Sequence, residues 1–230
     1  MDISSFVTPL TRQTLRGDVY LQLRDLLMNG RVMPGEVLSL RSIAEALEVS
    51  VMPVREAVHR LVAEQALELT ANRTLRVPAM TVSQFREITT IRINLECMAT
   101  GKAATLLNKK DFQAIESIHE HFSHEISLAQ PDGSRLIALN KELHFAIYSK
   151  ASMPMLLQII EPLWLRIGPI LNYDLRSNSL RVKERTPASH HSLLIEALRI
   201  EDSTAAIEAM RDDIQSASDY IISTGVLVSG

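Results

Sequence analysis

A lone cysteine, Cys97, stands in a chain of 230 residues. That excludes an intrachain disulfide framework and suits a reducing cytoplasm. Aromatic residues make up 4% of the sequence, and there are only eight glycines. Strands draw on aromatic and β-branched side chains, so this scarcity speaks against a β-sandwich and for a helix-rich protein. No run approaches the roughly 18 uninterrupted apolar residues of a membrane span. The opening MDISSFVTPLTRQ has no basic segment leading into an apolar one, so no secretory signal is expected. Cys97 itself lies in the apolar helical stretch RINLECMATGKAA, where a thiol packs rather than reacts. Lysine is missing from residues 1–78, which carry nine arginines against nine acidic groups, while the whole chain has a net charge of −3. Such a balance does not coat nucleic acid indiscriminately, yet arginine's forked donors suit specific contacts with phosphate or guanine.

What is present is helical periodicity punctuated by turn signals. Leu15, Val19, Leu23, Leu26 and Leu27 recur at helical spacing over about 11–29, and Gly30 follows as a C-terminal glycine. RVMPGEVL, with Pro34-Gly35, reads as a turn-rich connection. RSIAEAL predicts a short helix with Ile43, Ala44 and Leu47 as its apolar stripe. Ser50 then N-caps a third helix to about Glu64, with Pro53 tolerated in its first turn. Two extended pieces, ALELTA and TLRVPAM, flank Asn72-Arg73 and predict a β-hairpin. Three helices with a tight turn between the second and third, then a hairpin, is the order of a winged helix-turn-helix. After Val82, helices are expected near 83–107, 111–130, 134–151, 153–173, 178–200 and 203–223, with Asp202 and Ser203 capping the last. The expected fold is mainly α: a winged helix-turn-helix over 1–78, a linker over 79–82 and an all-helical antiparallel bundle over 83–230.

In the third helix Val54, Ala57, Val58 and Leu61 make one apolar face that must pack inward. The opposite face holds Val51, Met52, Arg55, His59 and Val62, and its N-terminal end, with Ser50, is the part that enters a major groove. Arg55 suits the O6/N7 edge of guanine, whereas Val51 and Met52 suit thymine methyls. Arg73, at the hairpin tip, is placed to reach an adjacent groove or phosphate.

The line VYLQLRDLLMNGRVMPGEVLSLRSIAEALEVSVMPVREAVHRL resembles the DNA-binding domain of the GntR family of bacterial regulators. The resemblance rests on Gly30-Arg31, Pro34-Gly35, Arg41, Ala44-Glu45, Val49-Ser50 and Pro53 to Ala57. The second half is similar to the FCD ligand-binding domain of the FadR-like branch. It shares Arg92-x-x-Leu95-Glu96 with Ala103-Ala104, Asn140-x-x-Leu143-His144, His191 before Leu198, and Ala209-Met210. The resemblance implies a homodimer that reads a pseudo-palindromic operator, a repressor's role, and a helical effector domain that often holds a divalent metal. It also implies a DNA contact for Arg41. Two departures concern DNA: the family often has arginine and threonine where Val51 and Met52 stand, and glycine in the turn where Thr74 stands.

Asn140 and His144 are four apart and share a helix face. In metal-holding FCD domains the matching set is one aspartate and three histidines. The resemblance therefore implies a set of Asn140, His144, His191 and Asp213, with the carboxylate moved to the last position. Two imidazoles, a carboxylate and an amide oxygen suit zinc, nickel, manganese or iron. Arg92 matches an inward-facing family arginine and is expected to pair with an effector carboxylate or with Glu96 four residues on; Arg166 is a second candidate of that kind. His119, His121 and His124 read as a solvated face. Two alternatives stand beside the metabolite-sensing regulator. One is a metal-dependent enzyme built on His144 and His191, for which the sequence shows no general base, phosphate loop or paired nucleophile. The other is a metal-free sensor of acyl chains.

Overall fold

Val54, Ala57, Val58 and Leu61, the stripe that sequence spacing turns inward, are all buried in α3 (Val51–Ala63). Full burial of Val54, Val58 and Leu61 stabilises the fold by roughly 1.5–3 kcal/mol each. The computed structural model describes residues 14–29, 31–70, 72, 74–176 and 179–228, excluding the side chains of 14–16, 172 and 176. Gly30, Arg73 and the Leu15 side chain therefore lie outside the described residues. Helix α3 packs on α1 (Thr14–Met28) and α2 (Leu40–Ala46), which give Val19, Leu23, Leu27 and Ala44 to the same core. Between α2 and α3 the chain turns through Glu48 in the left-handed region, and Val49 N–H returns to Ala44 O at 3.0 Å.

The wing is a three-stranded antiparallel sheet in the order β1-β3-β2, made of β1 (Val37–Leu38), β2 (Glu68–Leu69) and β3 (Leu75–Arg76). Leu75 pairs with both Leu38 and Leu69, and Arg76 with both Val37 and Glu68. The β2–β3 hairpin is the expected one. Strand β1 comes from the stretch read as a connection, because two residues are too few to display a period.

Among the described residues seven helices follow: α4 (Val82–Ala104), α5 (Lys109–Ser127), α6 (Gly133–Ser149), α7 (Pro154–Arg176), α8 (Leu180–Lys183), α9 (Thr186–Arg199) and α10 (Ser203–Ser223). Side chains cap the starts of α4, α5, α6, α8 and α10. Thr81 and Gln84 form a reciprocal capping box, while Asn108, Asp132 and Asp202 each accept from a first-turn N–H. Each cap is worth about 1 kcal/mol. The single helix expected near 178–200 is two helices. Arg185 takes a left-handed φ of 57°, and Pro187 in the first turn of α9 has no N–H to continue a helix from above. Cys97 is buried in α4, and burial raises its thiol to about 11, so it packs and stays protonated.

Helix α7 joins the two halves. It packs against α4, α6 and α10 of the bundle and against α1. At Gly168 a Cβ would stand 3.0 Å from the Leu27 carbonyl oxygen and 3.1 Å from the Met28 Cα, so the close approach requires glycine. Arg24–Glu161 and Lys141–Asp25, each at 3.1 Å, bind the same junction. Met80, between the wing and α4, is buried with Phe85, Ile88, Ile221 and Leu227, and its carbonyl accepts from Val228 N–H at 3.1 Å. Among the described residues no helix is long and apolar enough to cross a membrane.

Candidate functional site

Two sites emerge. The first is the outer face of α3. Ser50, Val51, Met52, Arg55 and His59 are all exposed, and Met52 is 58% accessible. Ser50 occupies the N-cap position with extended backbone, but its hydroxyl makes no capping bond and is left for an outside acceptor or donor. Val62, expected on that face, is instead partly buried against the core. Arg41 opens α2, exposed and paired with Glu45 at 3.1 Å. An apolar tip of Val51 and Met52 followed by a free guanidinium one turn on is a surface for base edges, with nothing on the inner face left unsatisfied by the core.

The second is a small cavity of about 40 Å³ inside the bundle, room for two or three waters. Asn140 and His144 from α6, Trp164 and Asp174 from α7, and Asp213 from α10 line it, together with Arg92 and Arg181. His191, on α9, is fully buried behind Asp213. Asp213 Oδ2 lies 3.3 Å from His144 Nε2 and 3.9 Å from His191 Nε2, and the His144 and His191 rings meet edge to face at 5.6 Å. One donor atom from each of these three residues falls within 4.8 Å of the others.

Hydrogen bonding fixes how the donors point. Glu96, fully buried on α4, accepts from Arg92 Nε and Nη2 at 2.6 and 3.1 Å, from Trp164 Nε1 at 3.0 Å and from the Tyr148 hydroxyl at 2.5 Å. Burial, with the Glu96 charge next in order, holds Tyr148 well above the usual phenol range. Its proton is committed to Glu96, so its oxygen accepts from His144 Nδ1 at 2.8 Å. In the neutral ring this leaves the lone pair on His144 Nε2, aimed at the Asp213 carboxylate. Two lone-pair atoms facing each other at 3.3 Å repel unless a proton or a metal cation lies between them. His144 Nε2 and both nitrogens of His191 are buried without a hydrogen-bond partner. Two ligands about 2.0–2.1 Å from a tetrahedral ion stand roughly 3.3 Å apart, so the residues present fit a divalent cation.

Burial lowers His191 to about 3, against the opposing pull of Asp213, so the ring is a neutral ligand at physiological pH. Burial alone would raise Asp213; a hydrogen bond from His144 once its Nε2 carries a proton, and attraction to protonated His191 and His144 and to Arg181, outweigh it and hold the carboxyl below its ordinary range. Both shifts act in one direction on metal-free protein. Between about pH 6.5 and 3 the unfolded chain binds a proton at residue 191 that the folded chain refuses. Stability should therefore fall with acidification by up to about 1.4 kcal/mol per pH unit across that window, and Asp213 extends the loss below the carboxylate range. Urea midpoints of chelator-treated protein at stepped pH should show this slope, and His191→Gln should flatten it. Equal slopes in both proteins would remove His191 from the cause.

Two residues depart from expectation. Arg166 does not reach this cavity. It lines a separate one beside Val62, Leu67, Glu68 and Met80, where the wing meets α7, because it lies on a different face of α7 from Trp164. His121 and His124 are exposed, but His119 turns inward, with its ring 6.2 Å from that of His191 and Nε2 near Ser192 Oγ at 3.2 Å. Arg92 is ion-paired with Glu96 and lies over the Trp164 ring at 4.8 Å while also bordering the cavity. Arg181 and Asp174 line the cavity without having been singled out in the sequence. Neither sits in a pattern that spacing alone distinguishes.

Comparison with known proteins places this geometry among regulators. Residues 15–77 match the bacterial regulatory proteins of the gntR family, and residues 87–216 match the FCD domain. The chain is 33% identical to the HTH-type transcriptional regulator McbR of Escherichia coli (strain K12), over 84% of this chain and 86% of that protein. It is 24% identical to the gluconate operon transcriptional repressor of Bacillus subtilis (strain 168), over 92% and 88% respectively. The solved structure of E. coli McbR/YncC superposes with a TM-score of 0.84 at 29% identity, covering 93% of this chain and 99% of that one.

Proposed function

The chain belongs to the GntR family of bacterial regulatory proteins and carries an FCD domain behind its DNA-binding domain; from that premise we propose that it is a cytoplasmic, homodimeric repressor whose hold on an inverted-repeat operator is set by a small organic acid in the FCD cavity. It is a DNA-binding transcriptional regulator and not an enzyme. The observation that carries the proposal is the division of α3, with one face wholly in the core and the other offering Val51, Met52, Arg55 and His59 outward. On this reading α3 lies in the major groove, Arg55 forks onto guanine, and Ser50 and Arg41 hold the backbone. Residues 1–78 then form the reading head, 79–82 the joint and 83–230 the sensing and dimerising part.

In the cavity His144, His191 and Asp213 would hold a divalent cation, with Asn140 a weak fourth ligand. The metal would supply a Lewis-acidic coordination position for an effector oxygen. The cavity's size and polar lining favour a small acid over an acyl chain. Helix α7 offers the route outward: Trp164 and Asp174 border the cavity, while Gly168 and Glu161 touch α1. A shift of α7 caused by the effector would therefore move the helix on which α3 is packed.

The test is a gel shift on DNA selected from a random pool. Arg55→Ala should weaken specific binding by roughly 1–3 kcal/mol, about 5- to 160-fold, and leave weak non-specific binding in place. Unchanged specific affinity would remove Arg55 from the readout; failure to select any sequence would sink the DNA-binding surface as drawn.

A further inference from the structure

We propose that Arg181 is the group that receives the effector's carboxylate, through parallel hydrogen bonds from Nε and Nη2; this rests on the reading of the cavity as the effector site. Arg181 stands on α8, and its side chain is 8% exposed. Its Nη1 donates to Asp174 Oδ2 at 2.6 Å. Its Nε and Nη2 are buried and have no hydrogen-bond partner among the described residues. These two nitrogens make up one edge of the guanidinium, the edge whose two N–H bonds match the two oxygens of a carboxylate. A native protein seldom leaves two donors of a buried cation unmet, and the arginine borders a polar cavity.

The arginine is also held in place before any ligand arrives. Asp174 grips Nη1, and Asp174 Oδ1 in turn accepts a hydrogen bond from the Ser179 hydroxyl. The same Ser179 oxygen caps α8 by accepting from Val182 N–H at 3.2 Å. The guanidinium is thus fixed in plane and direction, which lowers the ordering cost of binding. Arg92, by contrast, has the same edge occupied by Glu96.

Charge decides the class of ligand. Arg92 with Glu96 and Arg181 with Asp174 are formally neutral pairs, and Asp213 adds one negative charge. A divalent cation on His144, His191 and Asp213 turns the set to one net positive charge, which a monocarboxylate neutralises. With about 40 Å³ available, the acid has few carbons.

The experiment is calorimetric titration of zinc-equilibrated full-length protein with acetate, glycolate, lactate and pyruvate at millimolar concentration, with zinc content and Tm measured alongside. One acid should bind once per chain. Arg181→Gln and Arg181→Lys should each weaken it roughly 10- to 100-fold without loss of zinc. The lysine variant keeps a cation for Asp174 but has no fork, so a merely structural role for Arg181 predicts near-normal binding there; it also decides the matter should Arg181→Gln not fold. Ala217→Leu, which fills the cavity from α10, should abolish binding. Loss in Ala217→Leu with normal binding in both Arg181 variants would overturn the assignment of Arg181 and leave the cavity as the effector site. Binding indifferent to all three variants, or none of the four acids binding, would overturn the cavity reading and this proposal together.

Discussion

Glu96→Ala should cost about 3–5 kcal/mol of stability, the largest single-residue loss in the effector domain. The wild-type carboxylate is wholly buried and takes five roles at once from four hydrogen bonds: it neutralises Arg92, binds both of that residue's forked nitrogens, and receives the Trp164 and Tyr148 protons. Alanine leaves a guanidinium buried without its counter-charge, together with an indole N–H and a phenol lacking acceptors. For a chain of this length the melting temperature should fall by roughly 6–20 °C. Glu96→Gln, which keeps acceptor capacity but not charge, should lose less. A double change of Arg92 and Glu96 to methionine should recover part of the loss, since an uncompensated buried charge is worse than none. A Glu96→Ala protein within about 1 kcal/mol of wild type in urea unfolding would show that the network contributes little. The same change should reach the site itself. With Glu96 gone, the Tyr148 hydroxyl is released to donate to His144 Nδ1, which drives the ring's proton to Nε2 and turns a ligand into a donor.

His191→Ala is expected to abolish metal retention and, with it, any effect of an organic acid on DNA binding. Altering an outer partner of a metal ligand typically lowers affinity about 10- to 100-fold, so removing a ligand should exceed that range. Tyr148→Phe supplies the comparison: it deletes the acceptor that orients His144 and should fall within the range. Asn140→Ala should change little, and Asn140→Asp combined with Asp213→His should tighten binding by restoring a third imidazole. Elemental analysis after chelator-free purification, followed by re-incubation with zinc, nickel, manganese or iron, measures the four variants and the wild type. Wild-type protein that carries no metal and regains none would sink the metal reading. The effector would then be held by Arg181 and neighbouring hydrogen bonds alone.

The amino-acid sequence by itself determined the local structure. Spacing at 54, 57, 58 and 61 specified which face of α3 turns inward, and hence that Arg55 and His59 turn outward, because a helix of period 3.6 leaves an amphipathic segment no other choice. The cap residue at 202 marked a helix start, since its side chain satisfies an N–H group three residues on. The pairing of Arg92 with Glu96 was legible as an i,i+4 neighbour, and the metal set was legible only through resemblance to a family. What lay beyond a few residues was decided by tertiary structure. Helix α7 packs against five neighbouring helices, and which of them faces Trp164 and which faces Arg166 is set by the bundle; Arg166, expected at the effector cavity, lines a separate one. Arg181 was hidden because its meaning depends on Asp174, seven residues earlier in the chain, and on Ser179, five residues beyond Asp174, which meet it only in the folded bundle. The convergence of His144, His191 and Asp213 comes from three separate helices, and the Gly168 contact joins α7 to a helix some 140 residues earlier in the chain. Local propensity acts over one or two turns of chain, whereas these juxtapositions arise from how whole helices bury their faces against one another.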